Sequence, residues 1–147
     1  MPTVLCADAD RELRDVYVWL LSSYGFRVET ADDGLECLAK LRQFVPDLLL
    51  LDLELPWGGG DGVLEVIRGN PSLLPVRVVL TSSVASAQVL DGLASPPAVQ
   101  ALAKPFQLSA LVERAALAEF IKQEQPSNGT RMPSRRCVDT TLHSIQL

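Results

Sequence analysis

The sequence predicts an α/β fold, a three-layer sandwich in which a five-stranded parallel sheet is doubly wound by helices. Three observations lead there. Short β-rich runs alternate with helical stretches along the chain, the pattern of parallel strands joined by crossover helices. The third and fourth runs, "DLLLLD" and "VRVVLTSS", are nearly continuous in apolar residues, as strands buried on both faces are. The chain has 147 residues, 48% of them hydrophobic, which suits one domain with a sizeable core.

"TVLCAD" is a short first strand. "DRELRDVYVWLLSSYG" puts Leu13, Val16, Tyr17, Leu20 and Leu21 on one helical face, and Gly25 is placed to end it. "FRVET" is short and alternating, as an edge strand is. "DDGLECLAKLRQFV" is expected to carry Leu35, Leu38, Leu41 and Val45 on one side until Pro46 stops it. "DLLLLD" is the third strand, and "DGVLEVIRGN" a short helix closed by Gly69 and Pro71. "VRVVLTSS" is the fourth strand. "VASAQVLDGLA" is a weaker helix ended by Pro96 and Pro97, and "AVQALAKP" is the last strand. "FQLSALVERAALAEFIKQE" is an amphipathic final helix. The expected strand order is 2-1-3-4-5, with strands one and three adjacent. From Gln125 onward proline, serine, asparagine, glycine and arginine dominate. The expected division is therefore a domain over residues 1–124 and a mobile tail over 125–147.

Composition narrows the function. The formal charge is -5, which argues against the basic footprint of a nucleic-acid binder. Arg131, Arg135 and Arg136 against Asp139 give the last 22 residues a net of +2, leaving -7 for the rest. Such a surface suits protein partners or cations. Cys6, Cys37 and Cys137 form no CxxC pair and fit a reducing compartment. The start has no basic n-region, and no apolar run approaches the ~20 residues that span a bilayer. The expected setting is the cytoplasm. His143, the only histidine, lies in the tail and is read as solvated.

Four leucines running into Asp52 raise a chemical question, because a buried carboxylate is costly unless paired or bound to a metal. In a parallel sheet, residues at the carboxyl ends of strands meet even when distant in sequence. The first strand ends at Asp8 with Asp10 just beyond. The third ends at Asp52, the fourth at Thr81 and Ser82, the fifth at Lys104. Each has a plainer reading: Asp8 or Asp10 as a helix cap, Thr81 as a strand-end hydroxyl, Lys104 as a turn charge. Together they form a set of opposite charges that need each other. Converging carboxylates suit Mg²⁺ with retained waters. A lysine and a threonine can hold phosphoryl oxygens. The set favours phosphoryl transfer, and an aspartate there can itself be the nucleophile.

From Thr3 to Gln123 the chain resembles the receiver domain of bacterial two-component response regulators, whose fold is flavodoxin-like. "VLCADADREL" resembles the acidic first-strand motif, and "PDLLLLDLELPWGGGDG" the phosphoacceptor strand with its following proline and DG pair. "VVLTSS" resembles the strand ending in a switch hydroxyl, and "ALAKPF" the lysine-proline-aromatic motif. The resemblance implies that Asp52 is phosphorylated. It further implies that Asp8, Asp52 and the Glu54 carbonyl hold Mg²⁺, and that Thr81 and Lys104 bind the phosphoryl group. It also implies a cis Lys104-Pro105 bond. The implied partners are a histidine kinase or phosphotransfer protein and a downstream protein target, with no nucleic acid or membrane bound directly. The implied output surface is the face of the fourth helix, fifth strand and fifth helix, where a homodimer could also form. The implied role is signalling rather than enzymatic; the short segment after the receiver leads to the expectation of a stand-alone module, or of a piece of a longer chain.

Three departures accompany the resemblance. Ala9 stands where the family carries a second acid, which leaves the Mg²⁺ affinity open; Asp10, one place on, is an accessory acid only if the loop is rearranged. The loop "PWGGGDG" is longer than usual, with Trp57 beside Gly58, Gly59 and Gly60, which are expected to make it flexible. Ala101 stands where the family's aromatic switch residue would, so output must use another packing change. Two alternatives remain. One is a pseudo-receiver that keeps the fold with weak or no phosphorylation. The other rests on a resemblance of "LCADAD" to the Asp-x-Asp motif of haloacid-dehalogenase-type phosphatases, with Asp8 as nucleophile and Asp10 as general acid; it leaves Asp52 without a role.

Overall fold

The computed structural model describes residues 1–73, 75–86, 88, 89, 92 and 98–124. The strands are β1 (Thr3–Ala7), β2 (Arg27–Ala31), β3 (Leu48–Asp52), β4 (Arg77–Ser82) and β5 (Ala98–Ala103). Between them lie α1 (Arg11–Ser23), α2 (Gly34–Gln43), α3 (Gly59–Arg68) and a 3-10 turn at Pro71–Leu73, and a C-terminal helix spans Leu108–Glu124. The sheet is parallel throughout, in the order β2-β1-β3-β4-β5. That is the expected fold and order. Residues 125–147, read from sequence as a tail, lie outside the described residues. The expected fourth helix falls partly outside them; Gln88 and Val89 within it are helical.

The leucine run of β3 shows why the chain folds this way. Side chains alternate across a strand. Leu49 and Leu51 join Leu5, Val78 and Leu80 under α2 and α3. Leu48 and Leu50 join Val4, Cys6 and Val79 under α1 and the C-terminal helix. All four leucines are within 2% of complete burial. Each contributes about 1.5–3 kcal/mol relative to exposure, so β3 is the centre of the core.

The helices are set by their ends. Asp10 caps α1 by accepting from the Leu13 amide at 3.2 Å, and Gly25 at φ 90° comes after its last turn, where Phe26 N–H reaches the Leu21 carbonyl at 3.1 Å. Asp33 caps α2 by accepting from Glu36 N–H at 2.7 Å. The inward face of α2 differs from the sequence expectation. Gly34, Cys37 and Leu41 are buried and Leu38 partly so, while Leu35 is 61% exposed and Val45 43%. The helix ends at Gln43, so Val45 is not on it. Gly34 takes the inward place because its N–H donates to the Pro56 carbonyl at 2.9 Å and a Cβ there would collide with the Trp57 carbonyl.

α3 also begins earlier than expected. Gly58 is its N-cap at φ 94°, and Gly59 and Gly60 form its first turn. Two of the three glycines expected in a flexible loop are therefore helical. Gly60 is required by closeness: a Cβ would lie 2.5 Å from the Asp52 carbonyl oxygen.

Candidate functional site

Parallel strands that end together deliver their exits to one edge. Asp52 is paired in register with Thr81, and Ser82 with Ala103. Asp8 leaves β1 with its N–H on the Ala31 carbonyl at 3.0 Å, and its side chain turns inward to 2% exposure. Asp52 ends β3 at 5% exposure. Lys104 leaves β5 with its N–H on the Ser82 carbonyl at 2.7 Å, and the Lys104-Pro105 peptide is cis.

The three side chains meet. Lys104 Nζ donates to Asp8 Oδ2 at 2.6 Å and lies 3.4 Å from Asp52 Oδ2. The other oxygen of each carboxylate accepts from the backbone two residues on: Asp8 Oδ1 from Asp10 N–H at 2.9 Å, Asp52 Oδ1 from Glu54 N–H at 3.0 Å. Arg14 Nη1 donates to the Asp8 carbonyl at 2.7 Å and fixes that turn. Thr81 is 1% exposed, and its hydroxyl finds no hydrogen-bond partner among the described residues. A buried orphan hydroxyl beside a carboxylate exit is a group left open for a ligand oxygen.

The packing sets the electrostatics. Burial lifts the Asp52 carboxyl above its ordinary value, against the opposing pull of the Glu54 amide and the Lys104 ammonium. Burial also depresses Lys104, but its hydrogen bond to Asp8 and the charges of Asp8 and Asp52 outweigh it, so the ammonium is held above its ordinary value. Beneath the site, burial raises Cys6 and Tyr17, and the Tyr17 hydroxyl also lacks a partner among the described residues. Both are core groups held in their neutral forms.

Asp10 is spent on capping α1 and stands on the rim of a groove of about 440 Å³ with Glu12, Leu13, Val16, Ser83, Lys104 and Pro105. Ala9 is exposed and brings no donor. Among the described residues no group of three or more histidines, cysteines or carboxylates is gathered for a metal. What the site offers a hard cation is the Asp8 and Asp52 carboxylates, both in reach of Lys104. That set suits Mg²⁺, which is held by one or two carboxylates and keeps its waters. Trp57, 71% exposed, sits at φ 61° in the loop after β3. Ala101, on β5, pairs with Leu80 of β4.

Sequence reasoning gave Glu54 a role only through its carbonyl. The structure gives its side chain more. Ser82 Oγ donates to it at 2.8 Å, Ser83 N–H at 2.7 Å and Ser83 Oγ at 3.2 Å. These bonds outweigh the effect of burial and hold its carboxyl below the ordinary value. The expected strand order already put the residues after β3 beside those after β4, and that was the available signal.

This fold, with this charged edge, defines a class: the α/β receiver domain. Similar solved structures include the Vibrio cholerae chemotaxis protein CheY4, at 24% identity and TM-score 0.72 over 80% of this chain and 98% of that one. The receiver domain of the Francisella response regulator 1452 aligns at TM-score 0.75 and 24% identity, over 84% of this chain and all of the other. The Thermotoga maritima response regulator TrrA, solved with Mg²⁺ and BeF, aligns at TM-score 0.68 and 23% identity, over 80% and 99%. The chain belongs to the response regulator receiver domain family, whose model matches residues 4–116. Response regulator MprA of Mycobacterium tuberculosis strain H37Ra is 32% identical over 142 residues, covering 97% of this chain and 60% of the relative. The chain thus spans 60% of the length of that curated relative. Receivers are signalling modules of two-component systems rather than enzymes, and they work with histidine kinases or phosphotransfer proteins. No helix among the described residues is long and apolar enough to cross a membrane.

Proposed function

We propose that this receiver accepts a phosphoryl group on Asp52 and signals by contacts with other proteins. The observation that carries the reading is the meeting of Asp8, Asp52 and Lys104 at one edge, beside the unpartnered Thr81 hydroxyl. An Asp52 carboxylate oxygen attacks phosphorus. The O–P bond forms as the P–N bond of a donor phosphohistidine, or the P–O bond of an acyl phosphate, breaks, and the leaving group departs with the electron pair. Lys104 sits where it can shift from Asp52 toward a phosphoryl oxygen, and the Thr81 hydroxyl can donate to another. Mg²⁺ bound by Asp8, Asp52 and the Glu54 carbonyl would supply charge neutralisation for the transferring group. The fold's contribution is positioning, set by strand ends in register. Downstream contacts are assigned to the face that includes β5 and the C-terminal helix, with a protein target or a second copy of the chain as the partner, in the cytoplasm.

The test is incubation with acetyl phosphate and Mg²⁺ followed by intact-mass measurement. A single phosphoryl adduct, lost in Asp52→Asn, supports the reading. One observation favours a second: with Ala9 in place of an acid, the cation has two carboxylates and must compete with Lys104. No adduct together with no Mg²⁺ binding would make the chain a pseudo-receiver that acts by binding alone.

A further inference from the structure

We propose that Glu54 is a positioning residue whose carboxylate latches the turn after β4 to the loop after β3, and that phosphorylation of Asp52 releases the latch. The second half rests on Asp52 being the phosphoacceptor. The first half stands on geometry alone.

Glu54 reaches both loops. Its N–H donates to Asp52 Oδ1 at 3.0 Å. Its carboxylate takes the Ser83 N–H at 2.7 Å and the hydroxyls of Ser82 and Ser83 at 2.8 and 3.2 Å. The Ser82 hydroxyl carries one proton, which goes to Glu54, and its lone pairs accept the Val84 and Ala85 amides at 3.2 and 2.8 Å. The turn from Ser82 to Ala85 is therefore organised around one carboxylate borrowed from the neighbouring strand exit. Among the described residues, Glu54 is the acceptor of the Ser82 hydroxyl proton.

The latch lies where a charge at Asp52 is felt. A phosphoryl group brings about -1.5 to -2 of charge and three acceptor oxygens. It turns the oxygen that receives Glu54 N–H from part of a carboxylate into part of an acyl phosphate, a poorer acceptor. It also sets new negative charge near the Glu54 carboxylate. Thr81, adjacent in sequence to Ser82, has a hydroxyl with no partner among the described residues to give a phosphoryl oxygen. Movement of Thr81 toward Asp52 pulls Ser82 away from Glu54. Repulsion and pull act in one direction and free the Ser82–Ala85 turn. Ala101 on β5 has only a methyl group, so the change is carried by this polar contact rather than by a ring on that strand.

The experiment is residue-resolved amide exchange at Ser83, Val84 and Ala85 by NMR on the full chain, with intact mass as a parallel readout. Without a phosphodonor, Ser83 N–H is expected to exchange about tenfold faster in Glu54→Ala than in wild type, with β1 and β3 amides unchanged as the control for folding. Glu54→Gln keeps an acceptor oxygen and is expected to retain most of the protection. Equal Ser83 exchange in wild type and Glu54→Ala overturns the latch. With acetyl phosphate and Mg²⁺, Ser83 exchange in wild type is expected to rise as the adduct accumulates. In Glu54→Gln the rise is expected to be much smaller at the same adduct level, because the neutral amide is not repelled. An equal rise overturns release by charge. No adduct in wild type overturns the phosphoacceptor reading and the release step with it, while the comparison without phosphodonor still decides the latch.

Discussion

Lys104→Met removes the ammonium that bridges two buried carboxylates and keeps most of the side-chain volume. Lys104 Nζ is 2.6 Å from Asp8 Oδ2 and 3.4 Å from Asp52 Oδ2. At an effective dielectric of about 20, those separations correspond to roughly 6 and 5 kcal/mol of gross attraction. Desolvation of three charges offsets most of it, and breaking a buried pair costs about 3–5 kcal/mol net. The Lys104 side chain is 15% exposed, against 2% for Asp8 and 7% for Asp52, so the lower end, about 3 kcal/mol, is expected. The assay is urea denaturation at neutral pH in EDTA, with the slope checked for constancy. Adding Asp52→Asn to Lys104→Met should recover a large part of the loss, because one of the two facing charges is gone. Mg²⁺ should also rescue Lys104→Met, by about 2.7 kcal/mol at a hundred times its Kd, and should stabilise wild type less, since Lys104 competes there. The Lys104 ammonium is held above its ordinary value of 10.5, so its contribution is complete below that pH and lost as pH rises through the folded value. The gap between wild type and Lys104→Met should close in that alkaline range. A loss under about 1 kcal/mol, the scale of a surface pair, would refute the reasoning.

Further outcomes concern Asp52, the start of α3 and Trp57. Asp52→Asn should raise the melting temperature at neutral pH: burial lifts the Asp52 carboxyl above its ordinary 3.8, so ionising it costs the fold, and the advantage of asparagine should shrink as pH falls through the acid range. Gly60→Ala, whose Cβ would press on the Asp52 carbonyl, should cost about 1–3 kcal/mol and reduce phosphoryl adduct on the intact-mass assay. Gly62→Ala, with open space at the same helix end, should instead stabilise by about 0.5–1 kcal/mol in urea melts. Trp57→Asn should gain about 0.5–1 kcal/mol in the same melts, because Trp57 is exposed and held at φ 61°, a region asparagine tolerates.

Most of the fold was legible because local periodicity and global burial agree. The unbroken leucines of β3 could only serve a strand covered on both faces, and alternation with helices left a parallel sheet as the solution. Errors arose where a distant backbone decided the matter. Leu35 fits a helical stripe with Leu38 and Leu41, yet the inward turn of α2 is taken by Gly34, against the loop carrying Trp57. Glycines disfavour helix by about 1 kcal/mol each, so "GGDG" reads as loop. Gly60 is helical because only a residue without Cβ can pass so near the Asp52 carbonyl, a contact that propensity does not register.

The site divides along the same line. Parallel strands make their carboxyl ends coincide, so Asp8, Asp52, Thr81 and Lys104 could be named as neighbours from order alone. Order does not say which way the next residues turn. Asp10 comes after a strand exit as Glu54 does, at the same spacing from an aspartate, and each N–H returns to that aspartate. Their side chains part ways: Asp10 meets the open amides of α1 and becomes its cap, while Glu54 finds the serines after β4. The difference lies in the segment beyond each exit. α1 begins directly after Asp10, whereas the loop from Leu55 to Gly58 separates Glu54 from α3. Within the first turn of α3, the Gly60 N–H is already committed to the Leu53 carbonyl at 3.1 Å. A strand exit that runs at once into a helix uses its second acid locally; one that runs into a loop has that acid free to reach across the sheet.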